Sequence, residues 1–165
     1  MSVYHHCIQI ETDPRPEFYD VTDQVKEAIT QSGIEDGIVA VFSQHTTCSV
    51  IIQEDSLDET FNGTKFVFQD LLDVLEGLIP TCRKEGQYMH PGPKCVDHSV
   101  NVIKEAKAWT LNTDAHLRSA LIGRSESIPL IAGKLELGEH GKVYFADFDG
   151  THGRRRKVHV QIVGE

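Results

Sequence analysis

The C-terminal third of the chain carries strand patterns only, separated by short turns that contain glycine. Residues 127–131 and 134–137 flank one such turn, which predicts a β-hairpin. Residues 143–148 are predicted to pair with residues 157–163 across the next turn, at residues 150–153. Helical patterns lie upstream of these strands, and this segregation favours an α+β fold over alternating βαβ units.

Three more strands and up to three helices are predicted upstream from the spacing of the apolar residues. The predicted strands cover residues 3–11, 37–43 and 48–53. The predicted helices run from Asp20 or Thr22 to Gly33, over residues 65–78, and from Asp114 to Leu121. We therefore predict one α+β domain over residues 1–165, in which a largely antiparallel β-sheet carries two or three packed helices.

The middle segment, at about residues 81–113, is the least regular part of the chain. Its glycines and prolines predict a loop over residues 81–94, and a short helix is predicted over residues 100–109. Three side chains in this segment follow the spacing H-x4-C-x2-H: His90, Cys95 and His98. They could supply imidazole and thiolate ligands to zinc, or be scattered loop side chains, since the spacing is not that of a standard zinc motif.

Composition and charge exclude several classes of protein. The formal net charge of −9 at pH 7 opposes generic binding to nucleic acid or an anionic membrane, because both call for a basic surface. No window approaches the roughly 18 consecutive apolar residues that span a bilayer, and the first residues lack the order of a signal peptide. The four cysteines are widely spaced, which favours free thiols in a reducing compartment. We therefore expect a cytoplasmic protein without nucleic-acid or membrane partners.

A histidine lies where one predicted strand ends and the next begins. His45 is preceded by Gln44 and followed by Thr46 and Thr47, so imidazole, amide and hydroxyl groups meet at this point. The histidine could ligate a metal or transfer a proton near pH 7, or belong to a hydrogen-bonded structural turn. Glu54, at the exit of the following strand, adds a carboxylate.

A second polar group of residues opens the last predicted helix. Asp114 could cap this helix, and His116 and Ser119 would then share one face. Free N–H groups at the helix start, with Arg118 and the Ser119 hydroxyl, could bind a phosphate while His116 binds a metal or moves a proton. The alternative is an ordinary Asp-capped helix with a surface arginine.

The single basic run, at residues 154–157, is either a solvated strand entrance or a group of cations that faces the site and neutralises a phosphate. His140 and His152, in the neighbouring glycine turns, are predicted to be exposed. A glycine-rich phosphate loop, a nucleophile elbow and a dinucleotide fingerprint are all missing from the sequence. The chemistry that remains is centred on histidine.

Two segments carry a resemblance to a known family. Residues 45–54 read HTTCSVIIQE and residues 114–123 read DAHLRSALIG. They resemble the motifs H-T-[ST]-[AS]-[AS]-[LV]-x-[IL]-[NQ]-E and D-[AS]-H-[IL]-[KR]-[AS]-[AS]-[LM]-[LIV]-G of the YjbQ-like family. The resemblance extends over nearly the whole chain and includes the basic run and the final strand.

This resemblance implies a small α+β fold, a homotrimer and weak, secondary thiamine-phosphate synthase activity. It also implies one polar pocket that could hold a divalent metal, magnesium or zinc, and that is formed by His45, Glu54 and His116 with Asp114, Arg118 and Ser119 beside them. His90 matches the histidine of a family Tyr-x-His element and would be a third imidazole of the metal site with His45 and His116. Two departures are residues 139–141, which read EHG where the family has T-W-Q, and a longer segment over residues 81–113.

Three functions follow from these residues and the resemblance. The first is a transferase that joins a pyrimidine diphosphate to a thiazole phosphate and releases pyrophosphate, with Arg118 and Ser119 stabilising the departing charge. The second is a metal-assisted hydrolase of a small phosphorylated metabolite, with Glu54 as general base and the three histidines on the metal. The third is a non-catalytic, trimeric protein that binds a metabolite.

Overall fold

Two antiparallel sheets form the framework of the protein, which a computed structural model describes from Met1 to Glu165. In chain order the strands are β1 (Ser2–Glu11), β2 (Glu17–Asp20), β3 (Gly37–Ser43), β4 (Cys48–Glu54), β5 (Ser125–Ile131), β6 (Lys134–Leu135), β7 (Gly141–Asp147) and β8 (Arg155–Gly164). The larger sheet has the order β1-β8-β3-β5-β6 and the smaller sheet the order β2-β7-β4. All strand pairs are antiparallel, which confirms the predicted α+β class.

Four α-helices accompany the sheets, one more than the upper number predicted. They are α1 (Thr22–Ser32), α2 (Phe66–Leu78), α3 (Pro93–Asp97) and α4 (Thr113–Ile122). A π-helical turn (His98–Ile103) continues α3, and a 3-10 helix (Lys107–Thr110) precedes α4. Gly33 ends α1 in the left-handed conformation, with φ of 66°, as its position in the sequence predicts. None of these helices is both long and apolar enough to cross a bilayer.

The inner faces of the two sheets share one apolar core. Side chains alternate along β8, so Val158, Val160 and Ile162 point inward and are fully buried. They belong to one cluster with Phe145 of β7 and Val25 of α1. The two sheets therefore pack face to face, with α1 closing the same core.

The smaller sheet is buried on its other face as well. Tyr144 and Ala146 of β7 point away from the larger sheet and pack against helices α2 and α4. Phe68 of α2 stacks on Phe18 of β2 with ring centroids 4.2 Å apart. The smaller sheet is thus the middle layer of the molecule, whereas Phe42 and Ile38 on the outer face of the larger sheet are 39% and 56% exposed.

The predicted pairing of residues 143–148 with residues 157–163 is wrong. Strand β7 pairs with β2 and β4, whereas β8 pairs with β1 and β3. The connection between β7 and β8 crosses from one sheet to the other instead of closing a hairpin. The Asp149 carboxylate holds this connection by accepting hydrogen bonds from the Thr151 backbone N–H and hydroxyl. The continuous apolar run of β7 fits either arrangement, because both faces of the strand are buried.

The middle segment also differs from its prediction. Helix begins at Pro93, where the fixed φ of proline suits the first helical position, and not at residue 100. It ends at Lys104, which takes a left-handed conformation with φ of 67°. Residues Lys107–Thr110, just before the turn into α4, form a separate 3-10 helix. Strand β2 is a further element that the sequence does not predict, because it has only four residues and follows two prolines closely.

Gly37 and Gly164 face each other across β3 and β8, at a point where the backbones of neighbouring segments lie very close. A Cβ atom on Gly37 would collide with the Val163 carbonyl oxygen, which is backbone and has little freedom to move. We expect Gly37→Ala to lower the free energy of unfolding by about 1–3 kcal/mol in urea denaturation. Gly77, exposed in α2, is the matched control because a Cβ atom there would meet nothing within 4 Å. Gly77→Ala is expected to stabilise by up to about 1 kcal/mol, and equal losses in both variants would contradict the steric explanation.

Candidate functional site

A polar pocket of about 600 Å³ lies where the β3–β4 turn, the start of α4 and the start of β8 meet. The middle segment forms its remaining wall, with Lys94, Cys95, His98 and Trp109 among the lining residues. Of the seven residues that the family resemblance assigns to one pocket, three line it: His45, His90 and His116. The three histidines therefore meet in one cavity.

His45 is fixed by the backbone on both sides. Its ring Nε2 accepts a hydrogen bond of 2.9 Å from the Lys157 backbone N–H, and the Ser43 hydroxyl accepts one from the His45 N–H. An imidazole that accepts at Nε2 carries its proton on Nδ1 and is neutral. His45 can therefore donate from Nδ1 to a ligand, while its lone pair is already used.

His116 and His90 form a pair within the pocket. Their ring centroids are 5.4 Å apart and the rings meet edge to face. The Thr113 hydroxyl donates to the His90 carbonyl oxygen, so at its 2.9 Å contact with His90 Nδ1 it can only accept. His90 Nδ1 therefore carries a proton, and Nε2 is the ring nitrogen without a hydrogen-bond partner in the protein.

Arg154 and Arg156 line the same pocket. The sequence leaves open whether this basic run is solvated or faces the site. Arg156 is 4% exposed and makes a two-pronged ion pair with Asp147, with Nε–Oδ2 and Nη2–Oδ1 distances of 2.7 and 3.0 Å. Arg154 has a single close carboxylate, Asp149, at 3.1 Å from Nη2, and its Nε is buried without a hydrogen-bond partner. Arg154 is thus the cation with unused donors. Arg154 reaches the pocket from the residue before β8, and Arg156 reaches it from inside that strand.

Asp114, Arg118 and Ser119 lie outside the pocket and hold α4 in place. The Asp114 carboxylate does not cap α4 but accepts from the Cys82 backbone N–H at 3.0 Å. Arg118 donates to Glu76 at 2.7 Å and to the Ile79 carbonyl at the end of α2. Ser119 donates to the Cys48 carbonyl at 2.6 Å. These contacts fix α4 against α2 and β4 and so direct His116 into the pocket, but they form no phosphate site at the helix start.

Glu54 is not brought to the pocket either. It ends β4, whereas His45 precedes the start of that strand, and the seven residues of β4 separate them by roughly 20 Å. Glu54 lines a different depression, which also contains Asp55, His140 and Lys142. The prediction that Glu54 shares one pocket with His45 and His116 is therefore wrong.

Two further side chains complete the pocket region and were not predicted from the sequence. Trp109 lies parallel to His152, with ring centroids 3.7 Å apart. His152 is consequently half-buried, and the expectation that it is exposed was wrong, whereas His140 is exposed as predicted. Asn112 lines the pocket and donates to Asp149 at 3.0 Å. A lone tryptophan in an irregular segment gives no sequence signal for such a contact.

The donor groups do not fit the predicted three-histidine metal site. No three His, Cys, Asp or Glu side chains converge in an arrangement that could hold a metal ion. The Nε2 lone pair of His45 is used by Lys157, and Nδ1 of His90 by Thr113. Cys95 and His98 line the pocket without joining His90 as a ligand set. As they stand, these rings offer hydrogen-bond donors and acceptors.

Burial lowers the pKa of three histidines in this region below the ordinary value, because a charged ring is poorly solvated there. Positive charge adds to this effect: Arg156 lowers the pKa of His45, a charged His90 that of His116, and Arg154 that of His152. All three imidazoles are therefore neutral near pH 7.

These lowered pKa values predict a loss of stability on mild acidification. Below the ordinary histidine pKa of about 6.5 the unfolded chain binds more protons than the folded chain, so the stability present above this pH falls as the pH drops. We expect wild type to lose more unfolding free energy than His116→Gln between about pH 7.5 and pH 5.5 in urea titrations. Exposed His140→Gln should behave as wild type. Equal losses in wild type and His116→Gln would contradict the prediction.

The sequence model of the family described as "UPF0047 protein YjbQ-like" matches residues 6–165. The chain belongs to the YjbQ/UPF0047 family. A UPF0047 protein of Methanothermobacter thermautotrophicus is 31% identical over 165 residues, which cover the whole of this chain and 95% of that relative. The UPF0047 protein YugU of Bacillus subtilis is 27% identical over 157 residues, which cover 95% of this chain and 97% of YugU.

Solved structures of the YjbQ/UPF0047 family share the fold. A family member from Clostridium acetobutylicum is 32% identical with a TM-score of 0.71, covering 96% of this chain and 99% of its own. A YbjQ-like protein of Sulfolobus solfataricus is 26% identical with a TM-score of 0.74, covering 99% of each chain. The predicted family and fold are confirmed, and the descriptions of these relatives name no specific activity.

Proposed function

We propose that the polar pocket binds a small phosphorylated metabolite and that the neutral histidines transfer protons during a reaction of that metabolite. The observation that carries this proposal is the meeting of His116, His90 and Arg154 in one cavity. Phosphate needs a cation with N–H donors, and Arg154 lines the pocket with only one carboxylate, Asp149, engaging it closely. General acid–base chemistry needs imidazoles that are neutral near pH 7 and close to the ligand.

Thiamine-phosphate synthesis is the first reaction to test, because the family resemblance implies it. A pyrimidine diphosphate would join a thiazole phosphate, and pyrophosphate would leave. Arg118 and Ser119 are bound to Glu76 and to the Cys48 carbonyl, respectively. Stabilisation of the departing charge, which the sequence analysis assigns to these two residues, is therefore proposed for Arg154. The departing pyrophosphate would then lie against Arg154, and His116 would move a proton. The assay should contain magnesium, because diphosphates usually bind this ion.

The assay measures pyrophosphate release from these two substrates by purified protein. Release above a matched blank would support the transferase, and binding of either substrate without release would favour the non-catalytic metabolite-binding protein. The metal-assisted hydrolase is less well supported, since Glu54 lies at the far end of β4 and the histidines do not converge as ligands. A screen of phosphate esters with added zinc, manganese or magnesium tests it directly.

Arg154 provides the sharpest test of the phosphate-binding role. We expect Arg154→Ala to weaken binding of the thiazole phosphate about tenfold or more in calorimetric titration, because a charge-assisted hydrogen bond is lost. Arg155→Ala is the matched control, since Arg155 is the next residue and points outward to Glu11 with its side chain 70% exposed. Equal affinities in both variants would place the phosphate elsewhere.

We further infer that the chain assembles as a homotrimer in the cytoplasm, as the resemblance implies. The segment before α2 and the first residue of that helix expose three large apolar side chains: Leu57, Phe61 and Phe66. Such groups are typical of a surface that a partner covers. All four cysteines are free, which suits a reducing compartment. Light scattering should give the mass of three chains and a smaller mass for Phe61→Ser, whereas a monomeric wild type would contradict the trimer.

A further inference from the structure

A tryptophan forms the one large apolar surface in the otherwise polar pocket. Trp109 is the only tryptophan of the chain, and no other large apolar side chain lines this cavity. It lies in the 3-10 helix before α4 and is half-buried. An indole offers a ligand a flat apolar face, which hydrogen-bonding side chains do not. The phosphate binding and proton transfer proposed above make no use of this face.

His152 holds the indole in place. The two rings have centroids 3.7 Å apart and lie 13° from parallel, as in an aromatic stack. Trp109 lines the pocket, whereas His152 does not. The imidazole therefore supports the indole from outside the cavity and leaves indole surface for a ligand. An aromatic side chain that is already held loses little conformational freedom when a ligand binds.

The same histidine connects the indole to the cation of the pocket. Nδ1 of His152 lies 3.1 Å from the Thr151 hydroxyl and 3.4 Å from Nη2 of Arg154. A single imidazole ring thus separates the indole of Trp109 from the guanidinium. A ligand that contacts both therefore needs a flat ring joined to its phosphate through a linker of only a few atoms.

The rest of the lining favours a ring that contains heteroatoms. Side chains with amide or hydroxyl groups line the cavity together with Trp109, among them Gln44, Thr46 and Ser99. A hydrocarbon ring would remove water from such groups without replacing their hydrogen bonds, which costs free energy. Ring nitrogen atoms can replace those bonds while the face of the ring still stacks on the indole.

We propose that Trp109, backed by His152, binds the ring of a phosphorylated aromatic heterocycle whose phosphate lies against Arg154. The inference rests on the proposed function for the phosphate and adds the class of the ligand. Stacking of a heterocyclic base on an aromatic side chain raises affinity about five- to 100-fold. Trp109 is thus a specificity-determining residue, and phosphates without a ring bind more weakly.

The emission of the single tryptophan provides the first test, because no other tryptophan contributes to it. The full chain is titrated with the thiazole phosphate, with ethyl phosphate, which lacks the ring, and with the thiazole alcohol, which lacks the phosphate. We expect the thiazole phosphate to quench Trp109 and, in calorimetry, to bind at least about tenfold more tightly than ethyl phosphate. Equal affinities of the two phosphates would overturn the proposal, as would binding of the thiazole phosphate that leaves the emission unchanged.

Two variants separate stacking from a structural role of the indole. Trp109→Leu should lower the affinity for the thiazole phosphate at least about tenfold and leave that for ethyl phosphate unchanged. Trp109→Phe keeps a flat ring and should retain most of the affinity. Equal losses for both phosphates in Trp109→Leu would mean that the indole only supports Arg154 through His152, which overturns ring binding. Thermal unfolding checks that each variant keeps the fold.

The same titrations distinguish failure of the ring site from failure of the phosphate site. Equal binding of the two phosphates, with both weakened by Arg154→Ala, would leave the phosphate site standing and overturn the ring site. Quenching by the thiazole phosphate that Arg154→Ala does not weaken would support the ring site and remove Arg154 from the proposed function. Binding of neither phosphate would overturn both.

Discussion

Replacement of Arg156 by alanine is expected to lower the free energy of unfolding by about 3–5 kcal/mol. Arg156 occupies the inward row of β8 next to Val158 and makes a two-pronged ion pair with Asp147, with side chains 5% and 0% exposed. Removal of the guanidinium leaves a buried carboxylate with no opposite charge close enough to compensate it. Urea denaturation at neutral pH measures the loss.

Arg155→Ala is the control for this experiment. Arg155 also pairs with a carboxylate, Glu11 at 2.7 Å, but the two side chains are 70% and 72% exposed. Such a surface pair contributes about 0–1 kcal/mol, so the two neighbouring arginines should differ strongly. Exchange of the whole buried pair, Arg156→Met with Asp147→Leu, should recover much of the loss because no unpaired charge remains. A loss below about 1 kcal/mol in Arg156→Ala would show that Asp147 is compensated in another way.

The second large effect is expected at His116. If the pocket catalyses the proposed transfer, His116→Ala should lower kcat about 10²–10⁴-fold, because general acid–base catalysis contributes a factor of that size. Circular dichroism checks that the fold is retained, which we expect because the His116 side chain, unlike that of Arg118, makes no hydrogen bond or ion pair with α2. His140→Ala, at an exposed turn, is the control and should keep full activity. Equal rates in His116→Ala and wild type would remove acid–base chemistry at this residue from the proposal.

Much of the fold could be predicted because its signals are local. Strand β3 matches its predicted range, and α2 begins one residue later than predicted, because β-branched runs and helical spacing are read within a few residues. The partners of β7 could not be predicted in this way. Its pairing with β2 and β4 instead of β8 depends on how two sheets and two helices pack together, and the apolar run of β7 is the same in either case.

The site residues also differ in how far their placement follows from local sequence. His45 and His90 were assigned to one pocket with His116 from short motifs, and the structure does bring all three together. Arg118 shares the motif of His116, but its direction depends on the end of α2, where the Ile79 carbonyl accepts its N–H groups. Glu54 shares the motif of His45, but an extended strand carries it away. A sequence motif therefore identifies the segments that lie near the pocket, whereas the role of each residue depends on contacts with distant elements.

One part of the pocket lining comes from the packed sheets and α4, and the other part comes from the middle segment. His45, His116 and Arg156 belong to the packed sheets and α4, whereas Lys94, His98 and Trp109 belong to short helical turns. Substitutions in those turns could change the size and charge of the molecules that enter while the buried Arg156–Asp147 pair and the His45 turn stay intact. Relatives with the same histidines can thus differ in ligand, and the residues to compare among them first are those at 93–110.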